Sequence, residues 1–213
     1  MKLLVSPYLA QAAQWPARGR HILAQFDAET VVVYQAYRPS IGQFAAANNY
    51  FGGADFSFAR MSWIKPNFLW MMYRCGWAAK EGQEVVLAIT LARTAFDQIL
   101  AAAVPSSYDE RRYADRAAWA EAVKTSDVRL QWDPDHDPHG RPVERRAIQL
   151  GLRGSVLENY ARPWIRGIED ITPFVRDQHA RLQRGGPSEL VTPSEHVYPC
   201  EAATAAALGL DAA

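Results

Sequence analysis

A chain of 213 residues is long enough for one well-cored domain, and 23 Lys and Arg balance 23 Asp and Glu. That balance excludes the broad basic field of a non-specific nucleic-acid binder, and 49% hydrophobic content excludes a disordered chain. No apolar run approaches the roughly 20 residues of a membrane-spanning helix, and the run from Leu3 to Val5 is too short for an export signal before Pro7 breaks it. Cys75 and Cys200 lie far apart and give no disulfide framework. The expectation is a soluble cytoplasmic protein with no membrane partner.

In chain order, residues 1–19 read as an irregular arm and 20–26 as a short helix. The β-branched, aromatic stretch TVVVYQAY at 30–37 is a strand whose alternation sets Tyr34 opposite Gln35 and Tyr37. A short helix over 40–48 carries Ile41, Phe44 and Ala45 on one side, and Gly52-Gly53 ends the unit in a loop. The block RMSWIKPNFLWMMYRCGW at 60–77 holds three of the seven tryptophans. Ser62 as cap, Pro66 in the first turn and Gly76 as C-cap predict a buried helix over 65–74. Its polar exceptions, Arg60, Ser62 and Lys65 at one end and Tyr73 and Arg74 at the other, need either internal partners or an anionic ligand.

Residues 83–91 predict a second strand and 93–103 an Ala-rich helix. The charged segment 106–124, with Arg111, Arg112 and Arg116, reads as a solvated surface helix. Strands follow at 127–132 and 144–150, separated by a long proline-bearing loop, then a helix at 155–160, a strand at 164–171 and a helix at 172–183. After Gly185 the chain reads as an extended, partly disordered tail, leaving 20–184 as a single α+β domain with a mostly antiparallel sheet.

The loop DPDHDPHG at 133–140 gathers acids and histidines, but its prolines prevent a helical zinc pair and its order is not that of a calcium loop, so no metal is expected. Nucleotide-binding glycine fingerprints, nucleophile elbows and CxxC pairs are absent from the sequence, and Cys75 is expected to be packed at a helix end. What remains is a distributed set: Tyr34, Gln35 and Tyr37 on the first strand, Arg60, Ser62 and Lys65 near the central helix, and Gln131, Asp133 and Gln149 on the late strands. Aromatic rings beside cations and amides suit a nucleotide, with rings stacking on a base and cations holding phosphates. Ordinary sheet residues with satisfied hydrogen bonds give the same pattern.

The segments TVVVYQAY, RMSWIKPNFLWMMYRCGWAAK, QEVVLAI, VRLQWDP and RAIQLGL, in this order, resemble domain-of-unknown-function family 4291 over roughly residues 20–175. That resemblance carries no activity with it. The layout of strand, small helix, glycine loop, Ser/Arg segment and late strand more distantly resembles the ADP-ribosyltransferase superfamily, which implies a split sheet clasping NAD. Under that resemblance Gln35 takes the first-strand position, Ser62 or Tyr73 the middle motif, and Gln149 or Gln131 the last. The chain departs by having no His or Arg at the first position and an amide at the last. An amide cannot act as a base, so activating an acceptor hydroxyl falls to Asp133, Glu144 or the substrate.

The expectation is thus an NAD-dependent ADP-ribosyltransferase-like enzyme acting on a nucleic-acid, protein or small-molecule acceptor. Gln149, Gln35 and Tyr73 are its catalytic candidates, and Tyr34, Tyr37, Arg60, Ser62, Trp63, Lys65, Gln131 and Asp133 bind the cofactor. Arg60 and Lys65 hold the diphosphate. The alternative is a non-catalytic nucleotide- or RNA-binding module that stacks bases on Trp63 and Tyr34. A third reading is an interaction protein whose aromatic block is core.

Overall fold

The computed structural model describes residues 2–110 and 112–211. Met1, Arg111, Ala212 and Ala213 lie outside the described residues, so the place of Arg111 in the charged segment goes undescribed. The elements in order are β1 (Val5–Pro7), α1 (Tyr8–Ala12), β2 (Gly19–Arg20), β3 (Leu23–Ala24), β4 (Thr30–Tyr37), α2 (Pro39–Asn48), β5 (Ser62–Ile64), α3 (Phe68–Cys75), β6 (Val85–Ala92) and α4 (Arg93–Ala101). There follow β7 (Ala103–Pro105), α5 (Arg116–Thr125), β8 (Val128–His136), β9 (Pro142–Leu152), α6 (Gly154–Ala161), β10 (Ile165–Asp170), α7 (Thr172–Gly185), β11 (Val191–Pro193), β12 (His196–Val197) and α8 (Ala202–Leu208).

β6 reads VVLAITLA and is buried along its whole length, as a strand with neighbours on both edges and layers on both faces must be. It pairs antiparallel with β4, Thr30 opposite Ala92 and Tyr37 opposite Val85, and with β10 on its other edge. The helix α2 can approach this sheet closely because position 42 is glycine: a Cβ there would sit 2.5 Å from Val85 Cγ1.

A second group of strands runs β2-β9-β8-β7, with β5 also on β9. The long pairing of β8 with β9 and that of β5 with β9 are antiparallel, as expected of a mostly antiparallel sheet, and short parallel pairings of β2 with β9 and β7 with β8 make it mixed. The two groups meet at a backbone bridge: Tyr34 N–H donates to Lys65 O at 2.7 Å and Lys65 N–H to Tyr34 O at 3.2 Å. β4 therefore runs on through β5 into β9, and the whole curls into a half-barrel. Strand alternation sorts its faces. Val31, Val33, Ile64, Leu130, Ile148, Leu150 and Leu152 join α4 and α6 in one core, while Val32 and Tyr34 join α3 and α7 in the other.

The central block departs from its expected form. α3 starts at Phe68, and its cap is Asn67, whose side chain accepts from Trp70 N at 2.7 Å. Ser62 is instead drawn into β5, where it lies opposite Leu152, and Lys65 is committed to the bridge with Tyr34. Pro66 disfavours helical geometry at the residue before it, so the helix cannot begin at Lys65. The C-cap falls at Gly76 in left-handed geometry, as its residue type dictates. Residues 20–26 form β2 and β3 rather than a helix.

β8 and β9 are longer than their sequence reading, running through Pro134 and back from Pro142, with only residues 137–141 between them. Beyond Pro105 opposite Leu130, β8 has no described strand on its outer edge, and its register slips between Pro134 and His136. Edges and bulges are the places where a strand tolerates proline. The N-terminal arm and the C-terminal tail carry regular elements and pair with each other, β1 with β11, while β12 pairs β3. Gln11 ties them by donating to Thr192 O and Oγ1, and Trp15 donates to Glu195 O at 2.8 Å.

Candidate functional site

On the β4 side that faces α6, Gln35 is 3% exposed and shares its amide N–H groups among Ser62 Oγ at 2.8 Å, Tyr37 OH at 2.9 Å and Trp63 O at 3.1 Å. Its carbonyl accepts from Tyr160 OH at 2.6 Å, and the Tyr37 and Ser62 hydroxyls lie 2.6 Å apart. Burial pushes the Tyr37 hydroxyl up to about 12 and that of Tyr160 well above its ordinary range. Gln35, Tyr37 and Ser62 thus form a closed, neutral network that fastens β4 to β5 and α6. Tyr34 points to the opposite core, fully buried and edge-on to Phe68 at 5.6 Å, and offers no face to a ligand.

The other expected residues converge elsewhere. Gln131 and Gln149 are directly opposite in the β8/β9 register, and Asp133 lies two residues along the same face. Gln131 Nε2 donates to Asp133 Oδ1 at 3.0 Å and Gln149 Nε2 to Asp133 Oδ2 at 2.7 Å, so both carboxylate oxygens are held by amides. Lys65 joins this face from the β4/β5 junction. It is 6% exposed, has no ion pair among the described residues and donates only a long bond, 3.4 Å, to Trp63 O. Burial first, then the neighbouring Arg74 charge, lowers its ammonium to about 8, with Cys75 and Asp133 pulling weakly the other way. Trp63, half-buried, crosses β9 at Gly151, where a Cβ would meet its indole at 3.0 Å and Met61 Sδ at 2.5 Å.

The structure therefore brings together Trp63, Lys65, Gln131, Asp133 and Gln149, and leaves Gln35, Tyr37 and Ser62 behind the sheet. Arg60 lies exposed before β5, and its side chain has no partner among the described residues. Tyr73 is exposed on α3, its ring stacked 3.6 Å from that of His136. The remaining acids of the 133–140 stretch are occupied: Asp135 pairs with Arg145 at 2.7 Å, and Asp137 closes the hairpin by accepting from His139 N and Arg141 N, each at 2.9 Å. Cys75 is buried, and burial raises its thiol, the wrong direction for a nucleophile.

Around the free edge of β8 lies a cleft of about 720 Å³ lined by Arg20, Arg112, Arg116 and Arg146 with Ser106 and Tyr108, and Gln131 borders both places. Sequence reading missed these arginines. Local pattern suggests a helix at Arg20 and a solvated surface at Arg112 and Arg116, and the one local signal is Arg146 alternating onto the same face as Ile148 and Leu150.

No curated protein matches the chain. Residues 21–198 match the family model described as Domain of unknown function (DUF4291), a span that takes in β3 to β12 and every residue of the amide and lysine face. The chain belongs to the DUF4291 family.

Proposed function

We propose that this chain binds an anionic, nucleotide-type ligand on the face formed by Trp63, Lys65, Gln131, Asp133 and Gln149, acting as a binding module. The observation that carries the reading is Lys65. A fall from 10.5 to about 8 corresponds to about 3 kcal/mol of penalty on the charged amine, and no internal carboxylate forms an ion pair with it among the described residues. A phosphate or carboxylate from a ligand supplies the missing counter-charge, and the half-buried Trp63 supplies a ring surface beside it. The unpaired cysteines Cys75 and Cys200 accord with a reducing, cytoplasmic setting, which is part of the proposal.

A second reading, an NAD-dependent transferase, is favoured by Asp133. A carboxylate fixed through both oxygens on a partly open face is placed to steady positive charge at a ribose carbon, or to take the proton of an acceptor hydroxyl. In that reading Gln131 and Gln149 position the acid, with Gln35 and Tyr73 outside the chemistry.

Thermal unfolding with and without millimolar NAD, ADP-ribose or ATP tests the first reading. Ligand at about 100 times its Kd adds roughly 2.7 kcal/mol, or about 5–10 °C for a chain of this length. The expected rise is lost in Lys65→Met. No rise with any of the three overturns the reading. The transferase reading expects nicotinamide release together with ADP-ribose joined to an acceptor, both lost in Asp133→Asn, and NAD binding without release rules it out.

A further inference from the structure

Arg20 on β2 and Arg146 on β9 are direct partners in a parallel register, so two guanidinium groups leave adjacent strands on the same side. Like charges set opposite each other destabilise a sheet unless something lies between them. Neither has an ion-pair partner among the described residues. Arg116, at the start of α5, is also without one, and its guanidinium lies over the Tyr108 ring at 5.0 Å. Arg112 is held differently, by Asp109 at 3.6 Å and by Ala207 O at 2.7 Å, which fixes it as part of the wall. The exposed hydroxyls of Ser106 and Ser107 complete the rim.

We propose that this cleft binds a compact polyphosphate, the diphosphate or triphosphate of a nucleotide. Arginine presents a planar fork of donors that matches phosphoryl oxygens, and three such forks with no ion-pair partner among the described residues outnumber what a single carboxylate ligand can occupy. Size agrees: about 720 Å³ lies within the usual range for small-molecule sites. A polymeric polyanion fits less well. The chain as a whole has no net positive charge, and two acids, Asp109 and Glu110, are among the residues that line the cleft. The inference stands apart from the reading of Lys65, since only Gln131 is common to the two places.

Isothermal titration of the full chain with inorganic pyrophosphate, ADP and ATP tests it. The expected result is saturable binding that weakens by about tenfold or more in Arg146→Gln and in Arg116→Gln. Both unliganded variants are expected to melt no lower than the parent, because a like-charge neighbour is removed in one and an exposed side chain altered in the other. A merely structural arginine would lower the melting point instead. The proposal is overturned if none of the probes binds at millimolar concentration, or if both variants bind as the parent does. It is also overturned if single-stranded RNA binds while the three small probes do not. Binding that survives in both arginine variants and disappears in Lys65→Met places the ligand on the other face and likewise removes the cleft from consideration.

Discussion

At Lys65 the charged amine is disfavoured in the folded state, and the direction of the effect with pH follows. With a folded value near 8 and an unfolded value near 10.5, the unfolded chain holds the proton through that window, so stability rises as pH climbs from about 8 to about 10.5. Lys65→Met is therefore expected to stabilise the unliganded protein at pH 7 by up to about 3 kcal/mol, with the gain gone near pH 10.5. Urea unfolding at the two pH values measures it, and a net loss at pH 7 would mean that the amine has a structural partner. Glu195 gives the opposite profile. It is 2% exposed, accepts from Phe68 N at 2.6 Å, and burial holds its carboxyl well above the ordinary 4.5, with Asp135 adding to the rise and Arg145 opposing it. The folded state then keeps a proton that the unfolded chain has lost, so stability falls as pH rises above 4.5. Glu195→Gln should raise the melting point at pH 7 by roughly 2–4 °C per kcal/mol recovered, and should match the parent near pH 4. Gln131 and Gln149 were legible in the sequence, because period-two alternation fixes which side chains of a strand share a face, whereas Lys65, expected at a helix start, reaches that face only through its bridge to Tyr34. Arg20 and Arg146 were not, because a parallel register between remote segments leaves no local trace.

Among the elements, β5 and α3 show how two readings of one stretch compete. Serine, proline and glycine at 62, 66 and 76 fit a capped helix, and the last third of that pattern holds. The first third loses to pairing with β9 and β4, a demand that arises only once distant strands are assembled. The long β8/β9 pair was under-read for a related reason: Pro134 and Pro142 look like loop residues until the free edge and the bulge that accommodate them are known. At the crossing of β5 over β9, Gly151→Ala is expected to cost about 1–3 kcal/mol, because the new methyl meets Met61 and the rigid Trp63 ring. The same variant should weaken any ligand that stacks on Trp63. Unchanged stability together with an unchanged ligand-induced melting shift would remove Trp63 from the site.

For the whole molecule, the α+β class followed from alternating strand and helix patterns, while the mixed sheet and the clasp of the two ends did not. A tail rich in Gly, Pro, Ser and Ala gives little periodicity, yet it delivers Leu190, Tyr198 and Leu208 to buried positions. Tyr198 sits edge-on to Phe26 and Phe96, with ring centroids 5.1 and 5.2 Å away. Burial of three such side chains is worth roughly 5–9 kcal/mol, so truncation after Gly185 should leave a chain that does not unfold cooperatively at 37 °C. Circular dichroism melting settles this, and a cooperative transition close to that of the full chain would show the tail to be dispensable.

The bridge between Tyr34 and Lys65 also orders events in time. The β8/β9 hairpin needs only a short turn to close, so Gln131, Asp133 and Gln149 can come together early, before any remote strand has arrived. Lys65 and Trp63 must travel from a segment far away in the chain, and their docking awaits β4 and β5. Refolding kinetics should then show Gly140→Ala slowing folding and Gly151→Ala chiefly speeding unfolding. The two halves of the face would thus be separated by the main folding barrier.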